Sequence, residues 1–590
     1  MDEPQLGSSV LGTRVTRRMV LGTAAAAGAA SLLAACGSSS KSTPTTASAS
    51  TATTSSGGST ATSAATTAAT TASSPTTGSP AATTAAATST ATQAAAATST
   101  TAGKKGGTLT LGYNLQQILQ LDPARISTGR VAGELLCNFA SALVQFDEKL
   151  NVLPDLAEKW DISSDGLNYT FHIRSGLTFA DGSPLTAKDF VYTFNRTIDP
   201  KLASPHANKL KGMTPDAPDD TTFTLKFPAP FAPFLATACS RGPGRALTPV
   251  SQTAVQAQGE DDFLLKPVCH GPFRIVPETM QSQSGFTMER FDGYYGTPAL
   301  LDKIVVKFIP EPASQVNALA AGDIDFMNEV PPQGYEQLAG TDTVQVDKIH
   351  GTNWIAVQFN CSRPPFNNQD ARMAVAKAID RDKYIKNVLF GLAEPSVGAI
   401  APAFGWATQT EADLTDDPEK YDVAAAKQLA ESSGLTKAKP ILIGSASDHR
   451  GQDELRNQLL QIGVNVDMQL LQDADYNNRW QTGDYDMDIE GSVVDADPDD
   501  NDYNFFYPDG PWNTGKWNVP EAKALLDDER SITDQAKRAQ DFQKLQDLAR
   551  SQAAFGFLYH AYYLPGYQKY VKGLRPIPEI LEFETVWLDK

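Results

Sequence analysis

At 590 residues the chain is long enough for several domains, and its 68 Asp/Glu against 49 Lys/Arg give a net charge of −19. Residues 1–105 hold six Lys/Arg and two Asp/Glu, which leaves 43 basic against 66 acidic residues in the body, net −23. Such a surface repels nucleic acid and anionic lipid, and beyond residue 36 no apolar run approaches the length that spans a bilayer.

The chain opens with Thr16-Arg17-Arg18 before a short Ala/Leu-rich stretch that ends Leu33-Ala34-Ala35-Cys36. A twin arginine ahead of so short a stretch is an export address rather than a membrane span. The Leu-Ala-Ala-Cys ending resembles a bacterial lipobox. That resemblance implies a signal peptide over 1–36, lipid attachment at Cys36, and a body working on the outer face of the cell membrane. Residues 37–103 are almost wholly Ser, Thr and Ala. With no apolar face to bury, they read as a disordered linker, with an rms reach of roughly 45 Å as a flexible coil.

The body alternates strands and helices. Apolar alternation predicts strands at Thr108–Leu111, Tyr169–Ile173, Phe286–Arg290 and Ile304–Phe308. Helices are predicted from an Asp370 cap through Ile379, from an Asp422 cap over Val423–Ser433, over Glu454–Ile462, and as a pair across 520–550. Asp181-Gly182 reads as a turn, Thr186 as a helix cap and Gly322 as a helix stop. This is an α/β pattern, mixed throughout rather than segregated. Cys239 and Cys269 flank a segment of about 30 residues, where a disulfide would add about 3–4 kcal/mol; two unbridged thiols are the other reading. Cys137 and Cys361 read as small buried hydrophobes, and the absence of Cys-x-x-Cys argues against structural zinc.

Motifs that carry a resemblance follow in order: Leu121-Asp122-Pro123, Leu153 to Trp160, Phe179-Ala180-Asp181-Gly182-Ser183-Pro184-Leu185-Thr186 with Ala187 to Phe190, Gly271-Pro272-Phe273, Ala321 to Asp325, Ala378 to Arg381, and Gly463 to Val466. Across 106–590 the chain resembles the extracytoplasmic solute-binding proteins, family 5, of peptide and oligopeptide ABC importers. The resemblance implies a periplasmic-binding-protein-like fold (class II, large cluster C type), with two lobes and an extra subdomain around a ligand cleft. Lobe I would be 104–148, 267–358 and 556–590, the inserted subdomain 149–266 and lobe II 359–555, with hinges near 358 and 555. The implied partners are a small solute, a peptide first of all, and the transmembrane subunits of an ABC permease. The protein would act as a monomer.

The same resemblance implies the site. Asp495, in Gly491-Ser492-Val493-Val494-Asp495, matches the aspartate that pairs with a peptide's α-ammonium, and the backbone of Gly491, Ser492 and Val493 would pair with the ligand main chain. Asn513, Thr514 and Trp517 match a loop that lines the pocket, and Ser127 and His206 match positions that approach the ligand. Basic residues that meet a peptide's carboxylate align with Trp480 and Ile489, and His449 is the nearest substitute. A cysteine pair of some oligopeptide binders falls at Asn353 and Val493. The amine anchor is retained while the carboxylate clamp is in question, which leaves room for amines, cationic peptides or oligosaccharides as alternative ligands; the nickel and haem carriers of the superfamily add metal complexes, with His206 or His449 as the contact.

Two other readings attach to the acidic run. It also reads as a solvated loop, and its calcium-loop spacing fails, with Asp500 at the sixth position and Phe506 at the twelfth. A lipid-anchored hydrolase is the remote alternative. There is no Gly-x-Ser-x-Gly, His-Glu-x-x-His, P-loop or dinucleotide fingerprint, and the six histidines are scattered, so no enzyme, cofactor or metal is expected.

Overall fold

Strand alternation starts the body at β1 (Thr108–Tyr113), whose Leu109 and Leu111 are fully buried. The structure is a computed structural model, and it describes residues 103–493 and 496–590. The signal segment with Cys36, the linker up to 102, and Asp495 lie outside the described residues. Helix α1 (Gly129–Glu134) leads into the inserted subdomain. It contains β2 (Ala157–Ile162), β3 (Asn168–Ile173), α2 (Ala187–Ile198), β4 (Thr214–Asp216) and β5 (Thr222–Lys226), an antiparallel sheet in the order β2–β3–β5–β4. Local chemistry sets these boundaries. Gly182 turns at φ +83, and the Asp189 carboxylate accepts the Thr186 N–H at 2.8 Å to start α2.

The chain returns through β6 (Phe273–Ile275), β7 (Gly285–Arg290) and β8 (Lys303–Phe308), then α3 (Pro312–Ala321), β9 (Phe326–Met327) and β10 (Val344–Val346). Gly322 ends α3 in the left-handed region at φ +79, where a side chain would be strained. Lobe II follows: β11 (Ile349–His350), β12 (Asn353–Phe359), α4 (Gln369–Ala378), β13 (Ala393–Pro395), α5 (Val423–Ser432), β14 (Ile441–Ser445), α6 (Arg450–Gln461), β15 (Asp467–Leu471), α7 (Asp473–Thr482) and β16 (Met487–Val493). It closes with α8 (Asp499–Phe506), α9 (Pro520–Ser531), α10 (Gln535–Ser551) and β17 (Phe555–Tyr563), before β18 (Gly566–Gln568) rejoins lobe I. Asp422 caps α5 through the Ala425 N–H at 2.9 Å. The cap of α4 is Asn368 rather than Asp370: its carboxamide oxygen accepts the Asp370 N–H at 2.9 Å, leaving Asp370 in the first turn.

Two seven-stranded sheets define the lobes. Lobe I runs β10–β18–β9–β1–β8–β7–β6; lobe II runs β11–β17–β12–β16–β14–β15, with β13 beside β17. The crossovers between the sheets do not fall near 358 and 555, the places expected for the hinges. Because β12 and β17 pair with each other as central strands of lobe II, the chain changes sheets at 347–348 and 564–565. The two crossovers lie side by side, joined by the Asp347 N–H donating to the Pro565 carbonyl at 3.1 Å.

The expected Cys239–Cys269 bridge is absent. Cys239 ends the helical turn Phe234–Cys239 inside the subdomain core, whereas Cys269 belongs to the lobe I core, and both are buried free thiols. Burial raises the pKa of each well above the usual thiol value. The lobes and subdomain meet in an apolar cluster that includes Phe146 and Ile580 of lobe I, Ala236 of the subdomain, and Phe404, Ala496 and Phe542 of lobe II. Polar contacts cross the same boundary: Lys209 Nζ lies 3.2 Å from Asp500 Oδ1, and the Ala232 N–H donates to the Arg530 carbonyl at 2.7 Å. Among the described residues no helix is long and apolar enough to cross a membrane.

Candidate functional site

The site is built on β16. Its ladder to β12 runs from Phe359↔Met487 to Asn353↔Val493, while its pairing with β14 is at Leu442↔Met487, the opposite end from Gly491–Val493. Gly491 is required here, since a Cβ on it would meet the Trp354 carbonyl oxygen at 2.0 Å. Ser492 is buried opposite Trp354. Asn353 and Val493, the two positions aligned with a cysteine pair, are cross-strand partners. Asp495 follows two residues after the strand ends.

Two of the expected residues meet on a third that the sequence did not single out. Gln358 of β12, 1% exposed, accepts the Trp480 Nε1–H at 3.1 Å and the Thr514 hydroxyl at 3.4 Å, and its amide donates to the Trp512 carbonyl at 3.1 Å. Thr514 also shares a 2.7 Å hydrogen bond with the Tyr485 hydroxyl. Trp480 and Thr514 are thus held as one buried unit. Asn513 is buried beside them and donates to the Tyr507 and Trp517 carbonyls at 3.0 and 2.7 Å, which folds the loop. Trp517, expected as a pocket wall, is 4% exposed and lies edge-on to Phe506 at 5.8 Å, within the apolar core of lobe II.

Ser127 and His206 lie in lobe I and the subdomain. Ser127 is half-buried, and His206 is buried with Nε2 2.7 Å from the Ile126 carbonyl. A carbonyl only accepts, so Nε2 carries the proton. Desolvation first, then the charges of Arg245 and Lys209, hold the His206 pKa well below its usual value, so the ring is neutral. Arg245, also unforeseen, donates to the carbonyls of Ile126 (2.9 Å), Pro243 (2.7 Å) and Ser127 (3.4 Å), and Ser204 Oγ donates to the Ala124 carbonyl at 2.6 Å. Residues 124–127 are thereby clamped from the subdomain. His449 stands apart at the start of α6, half-exposed, with Nδ1 2.7 Å from Asp453 Oδ2 in its own helix. No group of His, Cys, Asp or Glu suited to a metal ion occurs among the described residues.

Beyond the strand, the acidic run is packed rather than solvated. Asp497 and Asp499 are buried against Arg538 and Arg530, at 2.7 and 2.6 Å. The arginines lie 41 and 31 residues downstream, on α10 and α9, which is why the run reads as a loop in sequence.

Two seven-stranded sheets joined by a pair of adjacent crossovers make a two-lobed fold. The family described as bacterial extracellular solute-binding proteins, family 5 (middle region), matches residues 151–514, and the chain belongs to it. Members bind solutes for transport and are not enzymes. The chain is similar to heme-binding protein A of Haemophilus influenzae, 26% identical over 471 residues that cover 74% of this chain and 84% of the relative. It is also similar to the dipeptide-binding protein of Escherichia coli K12, 25% identical over 456 residues, 72% of this chain and 83% of the relative. Among solved structures, the periplasmic binding protein DppA of Helicobacter pylori in complex with peptide STSA superposes with a TM-score of 0.69. It is 27% identical, and the match covers 82% of this chain and 99% of that one.

Proposed function

We propose that the protein captures oligopeptides, or a related amine-bearing solute, by lobe closure and passes them unaltered to an ABC permease. The observation that carries this reading is the Gly491–Val493 end of β16. Its ladder to β12, from Ile355↔Gly491 to Asn353↔Val493, holds this segment as extended backbone, and its residues match the strand that pairs with a ligand main chain in the family it resembles. The Helicobacter neighbour with a bound peptide supports peptide as the ligand class. In this reading Asp495 pairs with the ligand's α-ammonium. Ser127, His206, Thr514 and Trp480 shape the walls, and Trp517 and Asn513 support them from behind. Cys36 carries the lipid that tethers the protein outside the cell membrane.

Thermal unfolding against a library tests the proposal, with short peptides, oligosaccharides, haem and nickel complexes as the ligands. A true solute at 100 times its Kd stabilises by about 2.7 kcal/mol. Stabilisation by peptides with free N-termini, and not by N-acetylated ones, is expected. Haem or a sugar raising the melting point while every peptide fails would replace this reading. Retention of the Cys36→Ala protein in the membrane fraction would remove the lipid anchor.

A further inference from the structure

Helix α8 carries four polar side-chain atoms, on two adjacent residues, that are sealed from solvent without a partner. They are Oδ1 and Nδ2 of Asn501 and both carboxylate oxygens of Asp502. Each residue is 1% exposed. Folded proteins leave few such groups, because burying one forfeits its hydrogen bonds to water with nothing in exchange.

The surrounding ion pairs leave Asp502 without a cation. Arg538 takes Asp497 in a two-pronged pair (2.7 and 2.8 Å) and also donates to Glu529 (2.8 and 3.0 Å), while Arg530 takes Asp499 at 2.6 and 3.0 Å. Two guanidiniums thus serve three carboxylates. Asp502, one turn beyond Asp499 on the same face, is the fourth; burial first, then the charges of Asp499 and Asp497, raise its pKa well above the usual range. The helix also bears Phe505 and Phe506, packed against Trp354 (4.9 Å) and Trp517 (5.8 Å). Both of those indole N–H groups lack a partner as well. An unpaired carboxylate beside a free carboxamide oxygen makes an acceptor set for a cation.

We propose that Asn501 and Asp502 receive a positively charged side chain of the bound solute, a lysine ammonium or an arginine guanidinium. An ammonium offers three donors, matching the two oxygens of Asp502 and the carboxamide oxygen of Asn501. Phe505 of the helix packs on Trp354, the cross-strand partner of Ser492, which places α8 beside the Gly491–Val493 end of β16 along which the ligand main chain would lie. The inference rests on the peptide-binding reading and narrows it to cationic peptides.

The test uses calorimetry on the full-length protein, with lysine moved through each position of an alanine tripeptide and norleucine at the same position as the control. At one position the wild type should prefer lysine by about tenfold or more, and Asp502→Asn should bring that ratio to within about twofold of unity. Equal binding of lysine and norleucine everywhere would mean that ordered water alone fills the site, and would overturn the proposal; so would a preference that survives in Asp502→Asn. Folding of the variant is checked by its ligand-free melting point, expected at or above that of the wild type. If no peptide binds at all, the peptide reading fails and spermidine decides the cation site. Stabilisation of the wild type alone keeps the site, and stabilisation of neither protein or of both removes it.

Discussion

Replacing Lys209 by Met tests lobe closure with little disturbance of the fold, because the stem is kept and only the ammonium is lost. Lys209 Nζ lies 3.2 Å from Asp500 Oδ1, linking the subdomain to lobe II, with side-chain exposures of 26% and 19%. It also donates to the Thr237 carbonyl at 3.2 Å, within its own subdomain, and that contact is indifferent to opening. Ion pairs of this exposure contribute about 0.2–1 kcal/mol, and partial burial puts this one toward the upper end. Opening the lobes breaks the pair, so its loss biases the free protein toward the open state by that amount. The solute Kd then rises by the same factor, about three- to fivefold, chiefly through the off-rate. The assay is stopped-flow and calorimetric binding of a peptide at low ionic strength, repeated in about 1 M salt, where screening should shrink the gap. Identical affinities for Lys209→Met and wild type at low salt would refute closure through this contact.

Three further outcomes follow from the same structure. Asp495→Ala should weaken a peptide with a free N-terminus by about 3–5 kcal/mol, a 100-fold loss or more, with the ligand-free melting temperature unmoved; undiminished binding removes the amine anchor. Gln358→Leu strips the Trp480 N–H and the Trp512 carbonyl of a partner and should cost about 2–5 kcal/mol in urea unfolding, whereas a loss under about 1 kcal/mol would show that Gln358 does not organise the wall. The third concerns pH. Burial, opposed only in part by Arg381, pushes the Glu419 carboxyl up to about 8, and burial with the charges of Glu329 and Glu134 brings Glu579 to about 8. A raised carboxyl contributes stability in full below about 4.5, lost as pH climbs through about 8. His560, held down to about 4 by burial, contributes above about 6.5 and loses it as pH falls toward 4. The melting temperature should therefore peak between about pH 5 and 7, with Glu419→Gln flattening the alkaline fall; a melting point rising from pH 6 to 8 contradicts these assignments.

Much of the fold was legible because its signals are local. The Thr186–Asp189 box, the positive φ of Gly182 and Gly322, and the alternation in β1, β3, β7 and β8 need no knowledge of distant residues. Where pairing is long-range the reading slipped. β12 and β17 are apolar runs that fit either sheet, and only the ladders of β12 to β17 and to β16 place them in the second sheet, which moves both crossovers. Spacing suggested a Cys239–Cys269 bridge, yet the two thiols belong to different cores. Within the candidate site, motif matching singled out Gly491–Val493 and Thr514, and Trp480 as a departure from the family's basic residue. It did not reach Gln358, whose partners lie more than 100 residues away, or Arg245, whose bonds to Ile126 and Ser127 span more than 100 residues. The acidic run misled for the same reason, since Arg530 and Arg538 arrive from α9 and α10 to bury it.

Small-angle scattering on the protein, with and without a peptide that calorimetry shows to bind, measures most directly whether a guest draws the lobes together. Saturating peptide should lower the radius of gyration and recover the peptide unaltered on release. Superimposable profiles at full occupancy, or peptide returned cleaved, would contradict capture by closure.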